Sequence, residues 1–141
     1  MLNYLWPILL VITANTVYHI CAKSMPSGIQ PFISLIVTYS IATLFSIILF
    51  FITSQNKNIV SELQKAHWLS FIYGFAIVGL ELGYLYVYKV GWKISTGSLV
   101  ANISLACVLL IIGAVLYKEF ISIRQIMGVV LCITGILLVS K

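Results

Sequence analysis

Charge is what this chain has least of. Only 8% of its 141 residues are Asp, Glu, Lys or Arg, 62% are hydrophobic, and the mean hydropathy is +1.13. Soluble domains carry about a quarter charged residues, so a water-soluble fold is excluded at once. The few charges are not dispersed either. They fall in short polar intervals between apolar runs of about twenty residues, the length that crosses the hydrocarbon core of a bilayer.

Acidic residues number three, Glu62, Glu81 and Glu119, against eight Lys and Arg, giving a net charge of +5. That balance does not point to nucleic acid. The cations stand singly or in pairs near the ends of apolar runs, where they can snorkel to headgroups, and no basic cluster exists. Cys21, Cys107 and Cys132 follow no metal-ligand spacing and lie within or at the edge of apolar runs, so they read as small buried hydrophobes. A P-loop, a nucleophile elbow, a carboxylate pair and an HExxH pattern are all missing. Neither an enzyme nor a resident cofactor or metal is expected. A basic n-region and an A-x-A-like cleavage site are missing too, and the first apolar run reads as a retained helix.

What is present is a succession of five apolar spans in a single domain, residues 1–141. The first covers about Asn3–Ala22, with Tyr4 and Trp6 as interfacial anchors. The second starts at Pro31, at the first helical position where its missing N–H is harmless, and ends near Thr53. The third covers about His67–Tyr88, the fourth Ser95–Leu116 and the fifth Ile123–Ser140. Backbone polar groups must be satisfied internally in lipid, so each span is helical. Pro26 and Gly28 mark the first turn, and Gly91, Trp92 and Lys93 make a tight third connection. Ser54–Ala66 is the only long polar stretch; Ile59, Val60 and Leu63 can share one face of a short interfacial helix there.

Glu81 stands out as a lone carboxylate in the uncharged apolar segment Trp68–Tyr88. Placing an ionised carboxylate in hydrocarbon costs at least a few kcal/mol, and such groups usually face a bundle interior or a wet cavity. Residues three, four and seven away share its face, which reads Gly74, Ile77, Val78, Glu81, Tyr84 and Tyr88. The two phenols can hydrogen-bond the carboxylate or stack on a cationic ligand. The bland alternative is a protonated Glu81 acting as packing glue. Gly79 and Gly83 form a G-x-x-x-G on the adjacent stripe, a signal for close helix approach. The first span offers Asn15 and His19 one turn apart, with Thr16 alongside. His19 reads equally as a group that relays a proton or pairs with Glu81, or as a neutral ring satisfied by a carbonyl. Tyr39, Thr43 and Ser46 share a face of the second span; Ser95, Ser98 and Asn102 do so on the fourth. Individually these hydroxyls are weak signals, because they often bond back to their own carbonyls. Glu62 and Glu119 read as solvated or paired at the interface.

Five spans put the termini on opposite sides. Lys57, Lys65, Lys118 and Arg124 then face Lys23, Lys89, Lys93 and Lys141, four against four. Orientation normally follows a Lys/Arg excess on the cytoplasmic side, and here none exists. Either position outweighs number, or the chain inserts in both orientations.

The second half resembles an EamA-type half of the drug/metabolite transporter superfamily. Ser95-Thr-Gly-Ser-Leu-Val-Ala-Asn102 is similar to the family's small-residue opening of the fourth helix, and Leu116-Tyr-Lys-Glu119 to its acidic helix end. Gln125-Ile-Met-Gly128 and Thr134-Gly135-Ile-Leu-Leu resemble the spaced glycines of its last helix. The first span, Ala14-Asn-Thr-Val-Tyr-His-Ile-Cys-Ala-Lys23, resembles the small multidrug resistance branch in its spacing from alanine to lysine. The residue after that alanine is the proton- and substrate-binding glutamate of the branch, and here it is Asn15, which cannot exchange a proton. The resemblance implies that coupling has moved to Glu81 or that the chain is no proton antiporter. It also implies ten helices built from two inverted five-helix halves, the second supplied by another copy.

The expectation is an all-α integral membrane protein of the plasma (inner) membrane. It is a secondary transporter of small organic solutes, completed by homodimerisation, parallel or antiparallel. Glu81, Asn15, His19, Tyr84, Tyr88, Asn102, Ser98 and Tyr39 are the candidate binding residues, and membrane lipid and a small solute are the partners. A flippase for a lipid-linked headgroup and a non-transporting subunit of a larger complex are the alternatives.

Overall fold

The computed structural model describes residues 2–139, so the span end expected at Ser140 and the cation Lys141 lie outside the described residues. Six helices and no strand occur among those residues: α1 (Leu2–Ser24), α2 (Pro31–Thr53), α3 (Ile59–Leu63), α4 (Leu69–Lys89), α5 (Ile94–Leu116) and α6 (Ile123–Val139). Four of them, α1, α2, α4 and α5, are long and apolar enough to cross a bilayer. The fifth expected span coincides with α6, which is apolar but has only 17 residues. At 1.5 Å rise per residue it reaches roughly 25 Å of a core about 30 Å thick. It crosses only with local bilayer thinning or with snorkelling of flanking residues such as Arg124.

Helix starts follow local chemistry. Pro31 opens α2 behind an extended Gln30. The polar stretch folds into the short α3, whose first turn is capped by the Asn58 side chain accepting from the Ser61 N–H at 3.3 Å. Lys65 Nζ then donates to Glu62 Oε1 at 2.7 Å, one turn along.

The chain forms two compact units. One contains α1, the end of α4 from Val87, α5 and α6; the other contains α2, α3 and α4 as far as Tyr86. In the first unit α5 packs against α6. The α4–α5 corner closes with the Trp92 N–H donating to Val87 O at 3.3 Å and the Gly91 N–H to Tyr88 O at 3.2 Å. That is the Schellman pairing, with Gly91 in the left-handed position at φ 103°. Gly97 lets the start of α5 close on this corner, since a Cβ there would stand 3.1 Å from Val87 Cγ1. At the other end of α5, Lys118 turns the chain at φ 53° and the Glu119 N–H returns to Gly113 O at 3.0 Å. The Glu119 carboxylate folds over Gly113, with Oε2 2.8 Å from where a Cβ would be. Expected beside Lys118 as a solvated or ion-paired group, Glu119 is exposed and makes no ion pair among the described residues. In the second unit Ser34 and Leu35 are buried, and Ser34 Oγ donates to Met25 Sδ at 3.6 Å.

Among the described residues, those that are buried come to Ala22, Leu35, Tyr88, His19, Ser34, Gly97 and Gly113. Large apolar side chains stay exposed along every long helix. Lipid tails are as apolar as leucine, so such faces gain little by turning inward. The same logic corrects the cysteines: Cys21 and Cys132 are free and exposed and Cys107 is intermediate, none of them buried.

Gly91 is surrounded by open space, so its requirement is purely conformational. Gly91→Ala should lower stability by about 1–2 kcal/mol, the cost of a Cβ in the left-handed region, and Gly91→Asn by less. Equilibrium unfolding in mixed detergent micelles reads this; equal stability of Gly91→Ala and wild type would contradict the corner geometry.

Candidate functional site

In the unit containing α1 and α5, the last two turns of α1 meet the α4–α5 corner. His19 and Tyr88 are both buried, and His19 Nδ1 lies 2.9 Å from the Tyr88 hydroxyl. Either the phenol donates to an unprotonated Nδ1 or an Nδ1–H donates to the phenol oxygen, according to the tautomer. The Tyr88 and Tyr18 rings both meet the imidazole edge-on. One turn on, Lys23 Nζ donates to the Trp92 carbonyl at 2.9 Å and stands 5.8 Å from the Tyr88 ring centre. This cluster fastens α1 to the corner. The expected partner of the neutral histidine was a carbonyl; its Nδ1 partner is a phenol 69 positions away in sequence.

On α5, Ser98 Oγ donates to Ile94 O at 2.6 Å and Asn102 Nδ2 to Ser98 O at 2.8 Å. Thr16 does the same on α1, to Ile12 O. Asn15 and Asn102 are exposed. The expected stripes are thus present, but much of their hydrogen bonding goes to their own helices.

The other unit holds Tyr39 and Glu81. Tyr39, Thr43 and Ser46 line a groove of about 670 Å³ between α2 and α3, together with Phe50, Ile59 and Glu62. Tyr39 and Thr43 also line a second groove of about 500 Å³, whose other wall includes Gly74, Ile77 and Val78 of α4. Gly74, Ile77 and Val78 of the face predicted for Glu81 thus line a groove on α2, whereas Tyr88 of that face packs on His19 instead. Glu81 itself is half-buried, and its carboxyl is close enough to the Tyr39 hydroxyl to interact with it electrostatically. Among the described residues the Glu81 carboxyl has no ion pair, and the buried Tyr39 hydroxyl has no hydrogen-bond partner. Tyr84, one turn beyond Glu81 on the same stripe, is also half-buried.

Three contributors escape a reading of the sequence alone. Lys23 and the Trp92 carbonyl complete the His19 corner, and Glu62 faces a groove while remaining paired. Lys65 holds the Glu62 carboxyl below the usual carboxylate range, chiefly through its hydrogen bond. The three-residue spacing from Glu62 to Lys65 was the available signal for the pair. No local pattern marks the His19–Tyr88 contact. No group of His, Cys, Asp and Glu among the described residues is arranged to hold a metal.

The family model for the EamA-like transporter family matches residues 2–141, which is nearly the whole chain. No curated protein and no solved structure matches it.

Deleting the Tyr88 hydroxyl alone should expose the worth of the corner. Tyr88→Phe should lower stability by about 1 kcal/mol, because His19 keeps a buried ring nitrogen with one partner fewer. Thermal unfolding of the purified chain reads this, and an unchanged midpoint would show that the contact contributes nothing.

Proposed function

The chain belongs to the EamA-like transporter family, a family of membrane transporters of small solutes, and from that premise we propose a secondary transporter of small organic solutes. It works as an inverted homodimer in the plasma (inner) membrane, with Glu81 binding a proton or a cation. The observation that carries this reading is the state of Glu81: a half-buried carboxyl in the middle of an apolar span, with no internal ion pair among the described residues. An ionised carboxylate at that depth needs a counter-cation and a protonated one does not. A bound proton and a bound solute cation are therefore alternatives at one group, which is the minimal chemistry of exchange. The Tyr39 hydroxyl, buried and without a hydrogen-bond partner among the described residues, lies within electrostatic reach of that carboxyl.

Support for the dimer comes from what the single chain leaves uncovered. Asn15 and Asn102 are exposed on α1 and α5, where hydrocarbon is a poor surrounding for amide groups. Among the described residues, no other element comes within 4 Å of a Cβ at Gly79 or Gly83, so that close-approach stripe on α4 is open. A second copy covers both kinds of surface. The equal division of cations lets that copy insert inverted, as the two-half architecture requires. Substrate then sits near the midplane between the copies, lined by the exposed amides of Asn15 and Asn102, and rocking of one copy against the other alternates access.

Glu81→Gln tests the reading most cleanly, because it removes charge and keeps shape. Uptake of organic solutes into proteoliposomes, with and without an imposed pH gradient, should lose its gradient dependence and fall at least tenfold, while insertion and folding persist. Wild-type rate and pH dependence in the variant would make the carboxylate structural.

A further inference from the structure

The groove between α2 and α3 has features that a lipid-facing surface does not need. Its volume, about 670 Å³, lies within the range of small-ligand sites, roughly 300–1,000 Å³. Its walls are mostly apolar, with the Phe50 and Tyr39 rings among them, and its lining holds one charged group, Glu62, and no cation. Glu62 is ionised at neutral pH, since the Lys65 hydrogen bond holds its carboxyl below the usual range. Yet that bond is loosely defended. Lys65 is 68% exposed and three residues away on the same turn, and such surface pairs contribute little. A better-placed cation displaces it readily. Tyr39, which also lines the groove, has a buried hydroxyl with no hydrogen-bond partner among the described residues. Tyr39 and Thr43 also line the second groove against α4, on the stripe that leads from Gly74 and Val78 to Glu81. All of these residues belong to one compact unit.

We propose that this groove is a binding site in its own right, an outer vestibule for a monovalent organic cation with an apolar body. Glu62 takes the charge, exchanging Lys65 for the ligand, and the Phe50 and Tyr39 rings take the body. The charge selects the occupant. An acyl chain has no use for the carboxylate, an anion is repelled by it, and a neutral solute gains nothing from it. Aromatic faces add an attraction specific to cations. The site's role as a staging point toward Glu81 rests on the transport reading; its binding does not.

The test uses the full chain in nanodiscs of zwitterionic lipid, in a Glu81→Gln background so that the midspan carboxylate contributes nothing. Binding of 4-fluorobenzyltrimethylammonium is followed by fluorine NMR, with 4-fluorobenzyl alcohol and 4-fluorobenzenesulfonate as the neutral and anionic counterparts. The cation should bind saturably and in preference to both counterparts. Adding Glu62→Gln should weaken it about threefold to fivefold, the scale of one partly exposed charge pair. Lys65→Gln should tighten it by a similar factor, because the internal competitor is gone. That opposite sign leaves the carboxylate untouched and stands even if Glu62→Gln disturbs the loop. Equal binding of the alcohol and the cation would overturn the proposal and mark the groove as ordinary lipid-facing surface. Unchanged or weaker cation binding in Lys65→Gln would overturn it as well. If Glu81 has no role in transport, that appears as unaltered uptake by Glu81→Gln, and the vestibule result is independent of it.

Discussion

Hydrocarbon offers no hydrogen-bond partners, and most of this structure follows from that one constraint. Hydroxyls along the long helices return to their own carbonyls: Thr13 and Thr16 on α1, Ser40, Ser46 and Thr53 on α2, Ser98 on α5. The α4–α5 corner closes its carbonyls with the Gly91 and Trp92 amides, and the buried imidazole of His19 is held by a phenol. Against that pattern of internal satisfaction, Glu81 and Tyr39 are exceptions that lie within electrostatic reach of each other. In a membrane helix an exception of this kind costs stability, and a protein keeps it where it works.

The elements that rest on local chemistry could be read from the sequence. Long apolar runs gave α1, α2, α4 and α5, Pro31 marked the start of α2, Gly91 the tight corner, and the Ser54–Ala66 stretch its short helix. Helical spacing around Glu81 also anticipated Gly74, Ile77 and Val78 on one groove wall, though not the departure of Tyr88 to His19. What depended on distant partners did not follow. His19 finds Tyr88 through the packing of α1 on a corner 69 positions away, and no periodicity encodes that. Glu119 folds back over Gly113 because Lys118 adopts a left-handed turn, a conformation that lysine does not advertise. The cysteines were expected inside on hydrophobicity alone, which fails where lipid and core are equally apolar.

A transporter has to hold a polar solute in an apolar layer, and this chain leaves part of its polar equipment on the outside of a single copy. Asn15 and Asn102 are exposed, and α4 leaves its small-residue stripe open. In water such a surface needs no explanation, but in lipid it asks for a cover. The inverted second copy proposed above would supply that cover, and it agrees with a sequence whose eight cations give orientation no preference.

Orientation in the membrane tests that central claim most directly. Cys21, Cys107 and Cys132 are replaced, one cysteine is introduced in the Ser54–Ala66 loop, and intact cells are labelled with an impermeant thiol reagent before and after permeabilisation. Dual insertion predicts that a substantial fraction, on the order of half, labels from outside, with the remainder labelling only after permeabilisation. Two lysines added to the same loop should collapse this to one side and reduce transport, which an oppositely biased copy restores. Labelling of the starting version from one face alone would contradict the inverted dimer.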